Sequence, residues 1–169
     1  MDELFGGEKE KKGSNAVFVI GIVVGLALIG GAIFLLARKP SMEDQTTAAV
    51  NAAFKEGSPQ FAELSKDIII STDQDNTVQS PMGLGTISMF IAGKIRNKGT
   101  KTISVLEINV SVITQFNEVL KEKRKVVVPV QQTVLAPGDT IPVTISIDGF
   151  GKDDDRANIR WKVTAIKAE

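Results

Sequence analysis

An uninterrupted apolar run from Ala16 to Ala37 constrains this chain more than any other feature. Its 22 residues, AVFVIGIVVGLALIGGAIFLLA, include no charged or strongly polar side chain. As a helix the run is about 33 Å long, close to the roughly 30 Å hydrocarbon core of a bilayer. A cleaved signal peptide has a shorter apolar region and a small-residue cleavage site, whereas Arg38, Lys39 and Pro40 follow this run. We therefore predict one uncleaved transmembrane helix at residues 16–37.

The orientation of this helix depends on the charges beside it. Three lysines precede it and two basic residues follow it: Lys9, Lys11, Lys12, Arg38 and Lys39. The positive-inside count is therefore nearly balanced. A head of residues 1–15 is short enough to stay in the cytoplasm while the larger C-terminal part is exported. We predict a protein of the cell membrane with a cytoplasmic N-terminus and an extracytoplasmic C-terminal domain.

Small residues share one face of the apolar helix. Gly21 and Gly25 form a GxxxG pair, and Ala32 lies on the same face seven residues further on. Such residues let two helix backbones approach closely in lipid, although glycine is also common in membrane helices that make no specific contact. The lipid bilayer is thus one predicted partner, and a second copy of the helix is another.

A connector follows the apolar run at residues 38–66. Ser41 resembles a helix cap, and alanines between positions 48 and 53 favour a helix until Gly57, Ser58 and Pro59 end it. Its apolar residues are small and lack a clean period. We predict either a short helix or a flexible linker.

Residues 67–169 have the alternation of strands with one buried face. It is clearest in three runs: Ile87-Met89-Ile91-Gly93-Ile95, Ile141-Val143-Ile145-Ile147 and Ile159-Trp161-Val163. Another run changes parity at Val105–Leu106, which predicts a β-bulge. Six or seven short strands at this spacing predict an all-β antiparallel sandwich, immunoglobulin-like in type.

Turn residues separate the predicted strands. Asn97-Lys98-Gly99 tolerates the positive φ that a tight hairpin requires. Ala136-Pro137-Gly138-Asp139 has proline and glycine at the central positions of a type II turn. Residues 148–155 are polar and glycine-rich, and we predict a loop there.

The sequence from Gly85 to Ile147 resembles a known group of domains. The run Ile91–Gly99, the strand Ile103–Val112 and the turn Leu135–Asp139 resemble the FxLYD-type group of small immunoglobulin-like domains, which prokaryotes often carry on an N-terminal membrane anchor. At Phe116-Asn117-Glu118 the chain departs from the group, where an aromatic–Asp pair is usual. The resemblance implies an exported β-sandwich, and no functional residue is carried over from it.

Enzymatic chemistry has little support in this sequence. The chain has no histidine and no cysteine, so histidine-assisted nucleophiles and His or Cys metal sites are excluded. Ser65 and Lys66 are adjacent, which would point their side chains apart in a strand. We predict no catalytic residue and no cofactor. Carboxylates from different strands could still converge on a ligand, which is the alternative hypothesis of an envelope enzyme or ligand-binding protein.

Two acidic clusters are weak candidates for a calcium site. Asp148, Asp153, Asp154 and Asp155 could supply hard oxygen ligands, although a solvated loop is the favoured interpretation. Asp73, Asp75 and Asn76 begin like a calcium loop but lack the glycine and bidentate glutamate that complete one.

Charge favours protein or membrane partners over nucleic acid. From Ser41 onward there are 15 basic and 16 acidic residues, and a nearly neutral domain has no field that attracts polyanions. One basic cluster, Lys121–Lys125, is predicted to lie on a hairpin tip or an exposed strand, where its charges protect an edge from other chains. We predict a non-catalytic binding or scaffold module that docks on a membrane or envelope protein, with exposed strand edges as the docking surface.

Overall fold

The computed structural model describes residues 14–37 and 41–169. The chain divides into two compact units, and the boundary in the sequence lies between Ser41 and Met42. In the first unit, helix α1 spans Ser14–Ala37. Among the residues that the structure describes, no helix is long and apolar enough to cross a membrane. Most of the predicted head, and the flanking residues Lys9, Lys11, Lys12, Arg38 and Lys39, lie outside the described residues.

The second unit, Met42–Glu169, consists mostly of strands. Its two α-helices are α2 (Met42–Asn51) and α3 (Pro59–Ser65), and a 3-10 helix spans Gly83–Gly85. Its strands are β1 (Phe54–Lys55), β2 (Ile68–Thr72), β3 (Val78–Pro81), β4 (Ile87–Asn97), β5 (Ile103–Ile113), β6 (Val119–Val128), β7 (Thr140–Phe150) and β8 (Asn158–Ala168).

The strands form two antiparallel sheets. Sheet A has the order β1-β8-β5-β6. In sheet B, β4 is central: β7 pairs with it on one side, and β2 and β3 pair with successive parts of it on the other. Apolar side chains of both sheets form one main core, which includes Ile91, Val110 and Ile145. This confirms the antiparallel β architecture expected from the alternation.

Residues 42–66 of the connector belong to the second unit. Ser58 caps helix α3, and its Oγ accepts a hydrogen bond from the N–H of Phe61 at 3.2 Å, as an N-cap residue does. The next residue, Pro59, suits a first helical position. Phe61 and Leu64 then reach the main core. Their burial explains why this short segment is ordered.

The predicted bulge in β5 is present, and its cause is a second apolar cluster. The pairing of β5 with β8 shifts between Ile103 and Val105. Ile103 and Leu106 face the main core, whereas Val105 packs against Ala53 and Ala165 beneath α2 on the opposite face. The parity change in the sequence therefore arises because apolar side chains cover both faces of β5 at this end.

One turn prediction is confirmed and one is wrong. Gly138 has φ +84°, and Asp139 N–H donates to the Ala136 carbonyl at 3.1 Å, as in a type II turn. Asn97 and Gly99 lack positive φ, because this segment passes from sheet B to sheet A instead of closing a hairpin.

The Asn97 side chain stabilises the connection from β4 in sheet B to β5 in sheet A. It is 1% exposed, donates to the carbonyls of Lys101 (2.9 Å) and Leu135 (3.1 Å), and accepts from Gly99 N–H (2.9 Å). A single buried amide thus holds three segments together.

The predicted loop at 148–155 begins later than expected. Asp148, Gly149 and Phe150 belong to the end of β7, and Phe150 is fully buried. A bulky aromatic side chain in the core therefore extends the strand into the glycine-rich stretch.

Candidate functional site

The two sheets approach each other at both sides, and one of these sides is closed by lysines. Lys123 Nζ and Lys125 Nζ of β6 donate to the carbonyls of Ser146 and Thr144 of β7, each at 2.8 Å. Gln131 donates to the carbonyl of Pro142. These three carbonyls alternate along the free edge of β7, so side chains satisfy groups that a further strand would use. The basic cluster lies on an exposed strand, and two of its lysines cover the edge of β7 in the neighbouring sheet.

The opposite side, between β8 and β2, is open. On its outer side β8 pairs only with β1, at Ala165 and Ile166. The chain then turns away at Gly57, which has φ +95°, and enters α3. Within the described part of the chain, no strand pairs with residues 158–164 on this side. We call this segment the open edge.

An apolar groove of about 460 Å³ lies beside the open edge. Its walls come from α3, β2 and β8 and include Phe61, Ile68, Ile70, Trp161 and Val163. Ser65, Ile69 and Lys162 also line it, and Ile69 is 41% exposed. A groove of this size can take a bulky side chain.

A polar groove of about 210 Å³ lies further along β8. It is lined by Thr72, Gln74, Thr77, Gln79, Arg156 and Asn158, with Met89 and Ile159 as its apolar members. The guanidinium of Arg156 donates to the Gly151 carbonyl and lies 6.0 Å from the Phe150 ring. No described carboxylate lines either groove.

Trp161 separates the two grooves. Its Nε1 donates to Thr72 Oγ1 at 2.9 Å, which joins β8 to β2 across the open side. The ring lies over Gly93, where an added Cβ would be only 2.9 Å from Trp161 Cζ2. Glycine is required at position 93 because any side chain would displace the indole.

The candidate calcium ligands do not share a site. Asp148 accepts hydrogen bonds from Ser88 and Ser146, and these bonds lower the pKa of its carboxyl. Asp154 accepts from Gly151 N–H, and Asp155 accepts from Gln115 N–H. Among the described residues, no three acidic side chains form a group that could hold a metal ion.

The second acidic candidate is also engaged locally. Asp73 lies 3.0 Å from Lys94 Nζ, and hydrogen bonds from Lys94 and Asn76 lower its pKa. Thr77 Oγ1 donates to the Asp73 carbonyl at 2.7 Å. These contacts fold a tight loop between β2 and β3.

The other sequence candidates have different surroundings. Gly21 and Gly25 have open space where a Cβ would be, and Ala32 is exposed on α1. Ser65 ends α3 and lines the apolar groove, while Lys66 is exposed. A third groove, of about 50 Å³, is lined by the carboxylates of Glu63 and Asp67, and Glu63 pairs with Lys101 at 3.4 Å.

The fold places this chain in the class of two-sheet antiparallel β domains. No protein-family model matches the chain, and no curated protein matches it. A solved structure of a protein assigned as ApaA from Bordetella pertussis is similar at 17% identity and a TM-score of 0.36. The match covers 60% of this chain and 91% of that one. The resemblance to the FxLYD-type group stays a prediction.

Sequence reasoning missed the open edge and its two grooves. The alternation in Ile159, Trp161 and Val163 predicts a strand with these side chains inward, and they do line the open side. The absence of a neighbour beside β8 is a property of strand order, which alternation does not report. A signal was available in Gly93, since glycine within a strand often marks the close approach of another group.

Proposed function

We propose that this protein is a single-pass membrane-anchored, non-catalytic binding module whose exported β domain, immunoglobulin-like in type, docks a partner by strand addition at the open edge. The observation that carries this proposal is the difference between the edges of β7 and β8. Lysines occupy carbonyls on the edge of β7, whereas no described strand pairs with residues 158–164 of β8 on the side away from β5. An unpaired strand edge is a template for an added strand, which supplies main-chain hydrogen bonds.

Support for the anchor comes from the sequence. The run Ala16–Ala37 is apolar throughout and as a helix matches the bilayer core. A charged side chain at the centre of such a helix costs about 2.5–3.5 kcal/mol for insertion. An anchor and a domain with an open strand edge together favour a subunit that recruits a partner to the membrane surface.

Alkaline carbonate extraction of cell membranes tests the anchor. We expect the full-length protein to stay in the membrane pellet and the double variant Leu26→Arg, Ile29→Arg to be released. Ser41→Arg, which adds a charge beyond the apolar run, is the matched control and should stay in the pellet. Release of the unmodified protein would contradict the anchor. A reporter active only outside the cytoplasm, fused to the C-terminus, tests the orientation, and a silent reporter would contradict it.

Single-cysteine crosslinking tests the docking surface. Because the chain has no cysteine, one introduced thiol carrying a photoreactive group reports one position. Arg160→Cys places it on the open edge, and Thr144→Cys places it on the edge that Lys125 covers. We expect a discrete crosslinked species in cells from position 160 and none from position 144. Equal crosslinking at both positions, or none at either, would contradict docking at the open edge.

A further inference from the structure

We propose that the segment bound at the open edge is extended, runs antiparallel to β8, and has a bulky aliphatic side chain followed four residues later by an acidic one. This inference rests on the proposed function and adds the chemistry of the partner. It follows from the backbone of β8, from the two grooves beside it and from the charges that line them.

The backbone of β8 offers hydrogen bonds at alternate residues. Ile159 N–H is bonded locally by Asn158 Oδ1 at 3.2 Å, so it faces the open side rather than β5. Alternate residues of an antiparallel strand direct their N–H and C=O groups to the same side. Trp161 therefore shares this direction. An added strand can exchange a pair of main-chain hydrogen bonds with Trp161, and with Ile159 when the Ile159 N–H leaves Asn158 Oδ1.

The antiparallel direction follows from β1. This strand pairs antiparallel with the same side of β8, at Ala165 and Ile166. A bound segment beside residues 158–163 lies on the line that β1 would follow if the chain did not turn away at Gly57. Antiparallel pairing is also slightly the more stable arrangement per residue.

Directly opposite residues of an antiparallel pair place their side chains on the same face. The position opposite Val163 thus points into the apolar groove, and the position opposite Ile159 points into the polar groove. In an antiparallel segment these positions are i and i+4, about 13 Å apart. Position i+2 lies over the indole of Trp161, which leaves room only for glycine or another small side chain.

The positive charges near the polar groove favour an acidic side chain at position i+4 of the bound segment. Arg156 is the only charged residue among those that line the polar groove, and its described contacts include no carboxylate. Arg160 bonds an amide oxygen, Asn117 Oδ1 at 3.3 Å, so it adds a further positive charge on β8. A glutamate or aspartate at position i+4 is therefore complementary to this end of the open edge.

A second copy of β8 fits the open edge poorly. Antiparallel pairing of two copies centred on Trp161 would place one indole opposite the other, where only a small side chain has room. It would also place Arg160 of one copy opposite Lys162 of the other, and like charges directly opposite destabilise a pair. A segment of different sequence meets neither obstacle.

Intrinsic fluorescence gives a direct assay, because Trp161 is the only tryptophan and the chain has no tyrosine. The full-length protein in mild detergent is titrated with a capped heptapeptide, Thr-Leu-Thr-Gly-Thr-Glu-Thr. The matched control peptide has the same composition with Leu and Glu interchanged. We expect the first peptide to change the Trp161 emission and to bind about tenfold more tightly than the second. Equal binding of the two peptides, or binding of neither, would overturn the proposed pattern.

Two protein variants locate the bound peptide. Ser65→Phe fills the apolar groove and should weaken binding about tenfold, whereas Ala62→Phe, on the exposed side of α3, should leave it unchanged. Arg156→Gln should weaken binding about two- to fivefold, with no further loss when the peptide Glu is replaced by Gln. Undiminished binding to both Ser65→Phe and Arg156→Gln would overturn the assignment of the grooves. If position 160 still crosslinks in cells while the peptides show no preference, docking at the open edge stands and this pattern is wrong.

Discussion

Replacing Gly93 with alanine tests how the open side of the domain is built. The added Cβ would lie 2.9 Å from Trp161 Cζ2 and 3.0 Å from the carbonyl oxygen of Ser71. The oxygen belongs to the backbone of β2, and the indole is held by its bond to Thr72, so neither moves freely. Overpacking of this kind costs about 1–3 kcal/mol, and a displaced indole loses a hydrogen bond worth about 1 kcal/mol. We expect the free energy of unfolding to fall by about 2–4 kcal/mol and the Tm by about 8–16 °C.

Urea unfolding of the full-length protein, followed by the emission of Trp161, measures this loss. Gly83→Ala is the matched control, because nothing lies within 4 Å of its Cβ and its φ is not positive. Its effect should stay within about 1 kcal/mol in either direction. In a Trp161→Leu background, monitored by circular dichroism, the Gly93→Ala loss should shrink to below about 1 kcal/mol. If Gly93→Ala is as stable as Gly83→Ala, or costs the same without the indole, the reasoning is refuted.

Three further outcomes follow from other contacts. Asn97→Ala should lower the free energy of unfolding by about 2–4 kcal/mol, since it unpairs buried backbone groups, and urea titration would show it. Lys123→Met with Lys125→Met uncovers the edge of β7 and should produce concentration-dependent self-association in sedimentation velocity, whereas Arg124→Met should not. The pKa of the Asp148 carboxyl is lowered from 3.8 in the folded protein. Its ionised form therefore stabilises the fold above about pH 4, and this contribution is lost as the pH falls through the lowered value. The difference in unfolding free energy between the unmodified protein and Asp148→Asn should be constant from pH 7 to about pH 5 and decrease below about pH 4. If this difference in unfolding free energy did not change with pH, the assigned hydrogen bonds would be wrong.

The edges of β7 and β8 are covered in different ways, and the reason for covering them is the same. An exposed edge carries unpaired N–H and C=O groups that attract other chains. On β7 the lysines of β6 bond the carbonyls of Ser146 and Thr144, which an added strand would otherwise use. On β8 the short strand β1 covers only two residues before Gly57 turns the chain away. The edges of β7 and β8 therefore differ in how far the rest of the chain covers them.

Several parts of the fold could be predicted from sequence because they depend on local periodicity. The alternation in β4, β7 and β8 predicted strands and their inward side chains correctly. The Pro137–Gly138 turn was predictable because only a few residue types accept its φ values. The parity change in β5 predicted the bulge, although the sequence could not reveal that α2 covers Val105.

What the sequence determined by itself is the apolar run at 16–37, the absence of histidine and cysteine chemistry, and an antiparallel β domain. These follow from composition and from patterns within a few residues of one another. Only the tertiary structure decided which strands are neighbours, and hence which edge is covered and which is open. The pairing of β8 with β5, the lysines that reach β7, and the position of Trp161 over Gly93 all join residues distant in sequence. Local periodicity carries no information about strand order, because a strand has the same alternation at the centre of a sheet and at its edge.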